Sequence, residues 1–198
     1  MLTRNQFLVK EHIGLFKLSN TYDIIDPATN QKIGLAQEKP GALIHILRFL
    51  INKQMLPTKV SIIEGADDHG NGKEVLTIKR GLTFLRSKIK VYAEDGEQIG
   101  YFKSKLFSFG GGFFLFDTND KKIAEVKGDW KGWNFKLLDT NGKELGLITK
   151  KWAGLGKELF TSADTYMISI TEAATADNGL KLLLLAAGIA IDTVYKEK

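Results

Sequence analysis

Short segments that alternate polar and apolar side chains, separated by turn-forming residues, fill the middle of the chain. Lys88-Ile89-Lys90-Val91-Tyr92 and Gln98-Ile99-Gly100-Tyr101-Phe102 flank Asp95-Gly96, a dipeptide suited to the positive φ angles of a tight hairpin. Phe113 to Phe116 and Lys122 to Val126 flank Asp117-Thr118-Asn119-Asp120, and Asn134 to Leu138 and Glu144 to Ile148 flank Asp139-Thr140-Asn141-Gly142. Tyr22 to Ile25 with Lys32 to Ala36, and Lys59 to Ile63 with Glu74 to Ile78, read as two more hairpins. Strands this regular predict a mainly β domain, a sandwich or a barrel.

The hairpins form a degenerate repeat. Each return strand opens with an aliphatic residue, usually followed by a small one: Ile33-Gly34, Ile99-Gly100, Ile123-Ala124 and Leu145-Gly146, with Val75-Leu76 the exception. Val75, Ile99 and Ile123 are spaced by 24 residues, and Leu145 follows after 22. Lys79, Lys103 and Lys127 each stand four residues after the repeat's aliphatic; the fourth repeat has Thr149 there, then Lys150 and Lys151. In an up-and-down meander the return strands run the same way, so these lysines are expected on one rim. Strand parity sets a puzzle: four residues is an even step, which puts each lysine on the face of its aliphatic partner.

Two helices interrupt the alternation. Ala42 to Gln54 carries Leu43, Ile44, Ile46, Leu47, Phe49, Leu50 and Ile51 between Pro40-Gly41 and Pro57. Gly179 to about Tyr195 is apolar on every side through Leu182 to Ile191. A soluble helix of that kind must be surrounded by protein. The run is also shorter than the roughly 20 residues a membrane span needs. A many-stranded sheet curled around this helix accounts for both parts, and the chain reads as one domain, residues 1–198.

Candidate chemistry is thin. The 198 residues include no cysteine, which removes disulfides, thiolate metal sites and a cysteine nucleophile. His12, His45 and His69 share no metal-ligand spacing. Asp67 to Gly72 lacks the closing glutamate of a calcium loop, since Ile78 holds that place. Gly154-Leu155-Gly156-Lys157 lacks the first glycine and the serine or threonine of a phosphate loop. Carboxylates fall mostly in turns, where they bind backbone. No catalytic constellation appears, so a non-enzymatic protein without a cofactor is expected.

Charge is the remaining signal. The net charge is +5, and Lys79, Arg80, Arg86, Lys88, Lys90, Lys103, Lys105, Lys127, Lys131, Lys150, Lys151 and Lys157 interleave with Phe84, Tyr92, Phe102, Phe107, Trp130, Trp133 and Trp152. The plain alternative is a solvated barrel face. The functional reading is contact with an anionic surface, lysines on headgroup phosphates and aromatics at the interface. Nucleic acid is the alternative ligand of the same face. No signal-peptide pattern opens the chain, so a cytoplasmic protein peripheral to a membrane is expected. The sequence sets no oligomeric state.

Lys151-Trp152-Ala153-Gly154-Leu155-Gly156-Lys157-Glu158-Leu159-Phe160-Thr161-Ser162-Ala163-Asp164-Thr165-Tyr166 resembles the stretch before the terminal helix of phospholipid scramblases, and the apolar helix ending Ala190-Ile191-Asp192 resembles that terminal helix. Gly128 to Phe135 and the repeated hairpins are similar to LURP-one-related and Tubby C-terminal-like proteins. The resemblance, from about Tyr22 onward, implies a twelve-stranded antiparallel barrel enclosing a hydrophobic C-terminal helix. It implies phospholipid or phosphoinositide binding by basic residues, with lipid scrambling as the alternative. The lipid-binding candidates are Lys79, Arg80, Lys103, Lys105, Lys127, Lys150 and Lys151. The scramblase calcium segment maps onto Ser162 to Ala173, where Asp164 matches one acidic position while Ser162 and Ala173 replace two others. No metal site is therefore expected, Asp164 being its one weak candidate.

Overall fold

The computed structural model describes the chain apart from residues 2, 13–19, 42–43, 45–55, 68–69, 82–87, 105–111, 130–131, 152–164 and 196–198, and apart from the side chains of residues 129 and 193–195. The helix expected over 42–54 lies outside the described residues except for Ile44.

Twelve strands form one closed antiparallel barrel: β1 (Gln6–Glu11), β2 (Thr21–Asp26), β3 (Gln31–Glu38), β4 (Thr58–Glu64), β5 (Lys73–Arg80), β6 (Lys88–Ala93), β7 (Gln98–Ser104), β8 (Gly112–Phe116), β9 (Lys122–Asp129), β10 (Asn134–Asp139), β11 (Glu144–Thr149) and β12 (Thr165–Ile170). Each strand pairs with its neighbours in sequence, and β12 closes on β1 through Gln6↔Ser169 to Lys10↔Thr165. Closure removes the open edges that an isolated sheet would leave.

A one-turn helix α1 (Glu172–Thr175) follows β12 and leads into α2 (Asn178–Tyr195). From Leu183 to Ile191 every side chain of α2 is buried, on all sides of the helix. The sheet wraps it, with contacts to β5, β7 and β12. This is why the run is apolar throughout: no face of the helix meets water. Gly188 permits a close approach to β12, since a Cβ there would sit 2.4 Å from Ile168 Cδ1.

The parity puzzle resolves at the repeat's aliphatic residue. Between β2 and β3 the register passes from Ile24↔Gly34 to Ile25↔Lys32, leaving Ile33 as an extra residue. The same irregularity leaves out Val75, Ile99, Ile123 and Leu145 in the other four hairpins. Each is a β-bulge, which seats two consecutive side chains toward one face and bends the strand. Ile33, Val75, Ile99 and Ile123 pack on the core, and Leu145 belongs to it. The residue after the bulge also points in. A Cβ on Gly100 would meet the Phe116 carbonyl at 2.5 Å and Leu183 Cδ1 of α2 at 3.0 Å. One inserted residue thus reverses the count, and the lysine four positions on faces outward.

Candidate functional site

The barrel's two ends differ in chemistry. At the end where the hairpins turn, aspartates hold the backbone. Asp95 Oδ1 accepts from Glu97 N at 3.0 Å, Asp117 Oδ1 from Asn119 N and Lys121 N at 2.9 Å each, and Asp139 Oδ1 from Asn141 N and Lys143 N at 2.8 Å each. Gly96 and Gly142 adopt φ of 84° and Asp120 of 61° in these turns. Asp67 does the same work between β4 and β5, accepting from Asn71 N at 2.8 Å. Tyr101 donates to Asp120 Oδ1 at 2.7 Å. Burial, and after it this hydrogen bond, hold the Tyr101 phenol up at about 12.

Toward the other end, Lys79, Lys103 and Lys127 occupy equivalent outward positions. Lys79↔Lys90↔Tyr101 carries Lys79 across to β7 two residues short of Lys103, and Lys103↔Phe114↔Glu125 falls two residues short of Lys127 on β9. That constant stagger is the shear of a barrel with tilted strands, and it sets the three lysines at one height. Lys127↔Lys136↔Leu147 continues the same step toward Thr149 on β11.

These lysines have neighbours of their own sign. Lys59↔Lys79↔Lys90 places three lysines directly opposite one another on β4, β5 and β6. Lys88 faces Lys103, and Lys127 faces Lys136. Like charges directly opposite on a sheet destabilise it. At the margins Lys59 reaches Glu74 at 4.0 Å and Lys136 reaches Glu144 at 3.1 Å. Among the described residues, Lys79, Lys88, Lys90, Lys103 and Lys127 have no carboxylate within ion-pair distance. Three of them lie instead on aromatic faces: Lys79 Nζ is 4.5 Å from the Tyr92 ring centre, Lys88 3.7 Å from Tyr101 and Lys103 5.9 Å from Phe116.

Other candidates sort differently. Arg80 follows Lys79 by one residue, faces inward and is 4% exposed, with Nη2 donating to Thr58 Oγ1 at 3.0 Å and Leu56 O at 3.3 Å. Lys150 lies 4.2 Å from the Trp133 ring centre, half-buried, while Lys151 is exposed and its amide donates to Thr149 Oγ1 at 3.0 Å. Lys105, Arg86, Lys131, Lys157, Trp130, Trp152 and Asp164 lie outside the described residues. The stretch matching the calcium segment contains β12, hydrogen-bonded on both edges to β11 and β1. Thr165 and Ile170 stand at opposite ends of that strand. Among the described residues no three potential ligands cluster for a metal.

Sequence reading passed over one interior group. Tyr22, Tyr166 and Asp192 are buried at the end of the barrel where α2 finishes. Burial, then the Asp192 charge, push both phenols far above their ordinary value, so both remain neutral. Their separation along the chain, 22 to 166 to 192, left no local signal.

The scramblase family model matches residues 1–198, the whole chain. The chain belongs to the scramblase family. No curated protein and no solved structure matches it. The scramblase family is not a family of catalytic enzymes, and among the described residues no helix is long and apolar enough to cross a membrane.

Proposed function

We propose that this scramblase-family chain is a non-enzymatic, peripheral binding module for anionic phospholipid, with the outward lysines of β5 to β9 as the contact. The observation that carries the reading is that the opposed lysines Lys79 with Lys90, and Lys88 with Lys103, have no carboxylate partner among the described residues. A sheet that keeps like charges face to face has a use for them outside itself, because each lysine near an anionic surface contributes about 1 kcal/mol to binding. A cytoplasmic location at a membrane surface fits this use.

Binding is favoured over lipid transfer through the barrel because the interior is filled. Leu184, Ala186, Ala187, Ile189, Ala190 and Ile191 of α2 are fully enclosed by strands, and a headgroup passing there would lose its hydration. Phosphoinositide is the narrower ligand that the same lysines would serve.

Flotation with vesicles of phosphatidylserine in phosphatidylcholine, beside vesicles of phosphatidylcholine alone, tests the reading. Co-flotation with the anionic vesicles only is expected. A gel-shift series on duplex DNA at several salt concentrations tests the nucleic-acid alternative, whose affinity falls steeply with salt. DNA binding without vesicle binding would overturn the lipid reading.

A further inference from the structure

One row of cross-strand partners crosses six strands on the outer wall: Lys59, Lys79, Lys90, Tyr101, Phe116 and Lys122. Its centre is aromatic and both ends are cationic. Tyr101 and Phe116 stack at 4.9 Å with an interplanar angle of 8°, and Phe114 and Tyr92 lie on the same outward face, both half-exposed. Ammoniums cover these rings. Besides the three lysines over Tyr92, Tyr101 and Phe116, Lys122 Nζ stands 4.5 Å from the Phe114 ring centre. In water this is a favourable place for an ammonium, and Lys122 also pairs with Glu125 at 3.4 Å. An anionic surface competes for the same ammoniums, and each one that turns to a phosphate uncovers a ring at the depth where aromatic side chains favour the membrane interface.

We infer that the module docks on its side: the wall of β5 to β9, rather than an end of the barrel, lies on an anionic phospholipid membrane, and capture of phosphates by Lys79, Lys88, Lys103 and Lys122 exposes Tyr92, Phe114 and Phe116 to the headgroup layer. This inference rests on the lipid-binding reading above and adds an orientation and an apolar component to it. The rim lysines then act as one border of a patch. The patch centre, two strands wide, is aromatic.

The chain has no cysteine, so a single introduced cysteine carries a polarity-sensitive fluorophore at one known place. Labels at Lys90→Cys on the wall, Lys151→Cys at the end with the long connections, and Thr140→Cys at the end with the tight turns are compared on phosphatidylserine-containing vesicles. The wall label is expected to shift to the blue and to be quenched by brominated lipid, with the other two unchanged. Co-flotation with a response at Lys151→Cys or Thr140→Cys alone would overturn side-on docking while leaving lipid binding in place. Absence of co-flotation for unlabelled protein would remove the underlying reading, and this one with it. A wall label that answers to single-stranded DNA and not to vesicles would overturn it in favour of nucleic acid.

A second arm reads the rings. Phe114→Ser combined with Phe116→Ser, checked for unchanged circular dichroism, should weaken vesicle binding roughly tenfold at about 0.1 M salt. It should also abolish the binding that the parent retains at about 0.5 M salt, where lysine contacts are screened. Equal salt dependence of parent and double variant would overturn the apolar component.

Discussion

The barrel reverses its chain in two ways. At one end the connections are short, as at 27–30, 94–97 and 140–143; at the other more residues separate successive strands, as at 12–20, 39–57 and 150–164. Charge follows the same division. Asp95, Asp117 and Asp139 at the tight end spend their carboxylates on backbone amides of their own turns. Lys79, Lys90, Lys103 and Lys127, on the wall and toward the far end, have no such partner among the described residues. A charge bound within the molecule is read as structure; a charge held opposite its own kind is read as available to a ligand. Damage at the tight end should therefore lower stability, and damage to the lysine wall should lower binding.

The largest effect is expected where both ends depend on one interior. Leu184 is fully buried in α2, and Leu184→Asp would place a carboxylate among aliphatics at a cost of several kcal/mol. Thermal melting should show loss of the folded state, whereas Lys90→Asp on the wall should melt within a few degrees of the parent, about 0.5 kcal/mol of change at most. An unchanged melting temperature for Leu184→Asp would mean the helix is not enclosed.

Two glycines sharpen the contrast between bulge and turn. Gly100→Ala drives a Cβ against the Phe116 carbonyl and Leu183, and should cost about 2 kcal/mol in urea denaturation. Gly96→Ala meets open space but keeps a φ of 84°, so about 1 kcal/mol is expected. If the two were equal, backbone conformation alone would explain the repeat, without helix packing.

Smaller still is the turn cap. Asp139→Ala removes the acceptor of two amide bonds and should lower stability by about 1 kcal/mol, while Lys103→Ala should leave it within about 0.5 kcal/mol. The reverse ranking would break the division between committed and available charges.

The smallest effect is one of acidity. The Arg4 guanidinium, bonded to Asp26 at 2.6 Å, and next the Ala28 amide hold the Asp26 carboxyl below its usual range. Because the folded value lies below the unfolded one, the stabilisation is complete above the unfolded carboxylate value near pH 4. It is lost as pH falls through the folded value. Arg4→Gln should flatten that part of the stability–pH curve between about pH 5 and pH 2, read from urea midpoints. An acid limb identical to the parent's would show the pair to be idle.

Much of the barrel was legible because alternation and turn residues are local. Asp95-Gly96 and Asp139 to Gly142 mark their hairpins without reference to the rest of the chain. The apolar stretch around Leu184 announces enclosure by having no polar face. The bulges were visible only as an unexplained aliphatic–small dipeptide, because a period-two reading assumes no inserted residue. That assumption is what placed Lys79 and Val75 on one face. Arg80 looked like a partner of Lys79 for the same reason that adjacent basic residues read as one patch, although consecutive residues on a strand face opposite ways. Lys59 and Lys136 were missed because cross-strand register joins them to Lys79 and Lys127 over distances that no local pattern spans. Tyr22, Tyr166 and Asp192 meet only when the barrel closes.

The most direct measurement is flotation of two charge-reversed triples on phosphatidylserine-containing vesicles. Lys79→Glu, Lys103→Glu and Lys127→Glu together alter the outward lysines. Lys73→Glu, Lys121→Glu and Lys143→Glu make the same change in net charge at the tight-turn end; Lys121 is chosen there because the nearby Lys122 lies over Phe114. With about 1 kcal/mol per lysine, the first triple should weaken binding roughly a hundredfold with melting unchanged, and the second should weaken it far less. Equal losses from the two triples would mean that net charge alone drives binding, and would contradict a lysine wall built for an anionic surface.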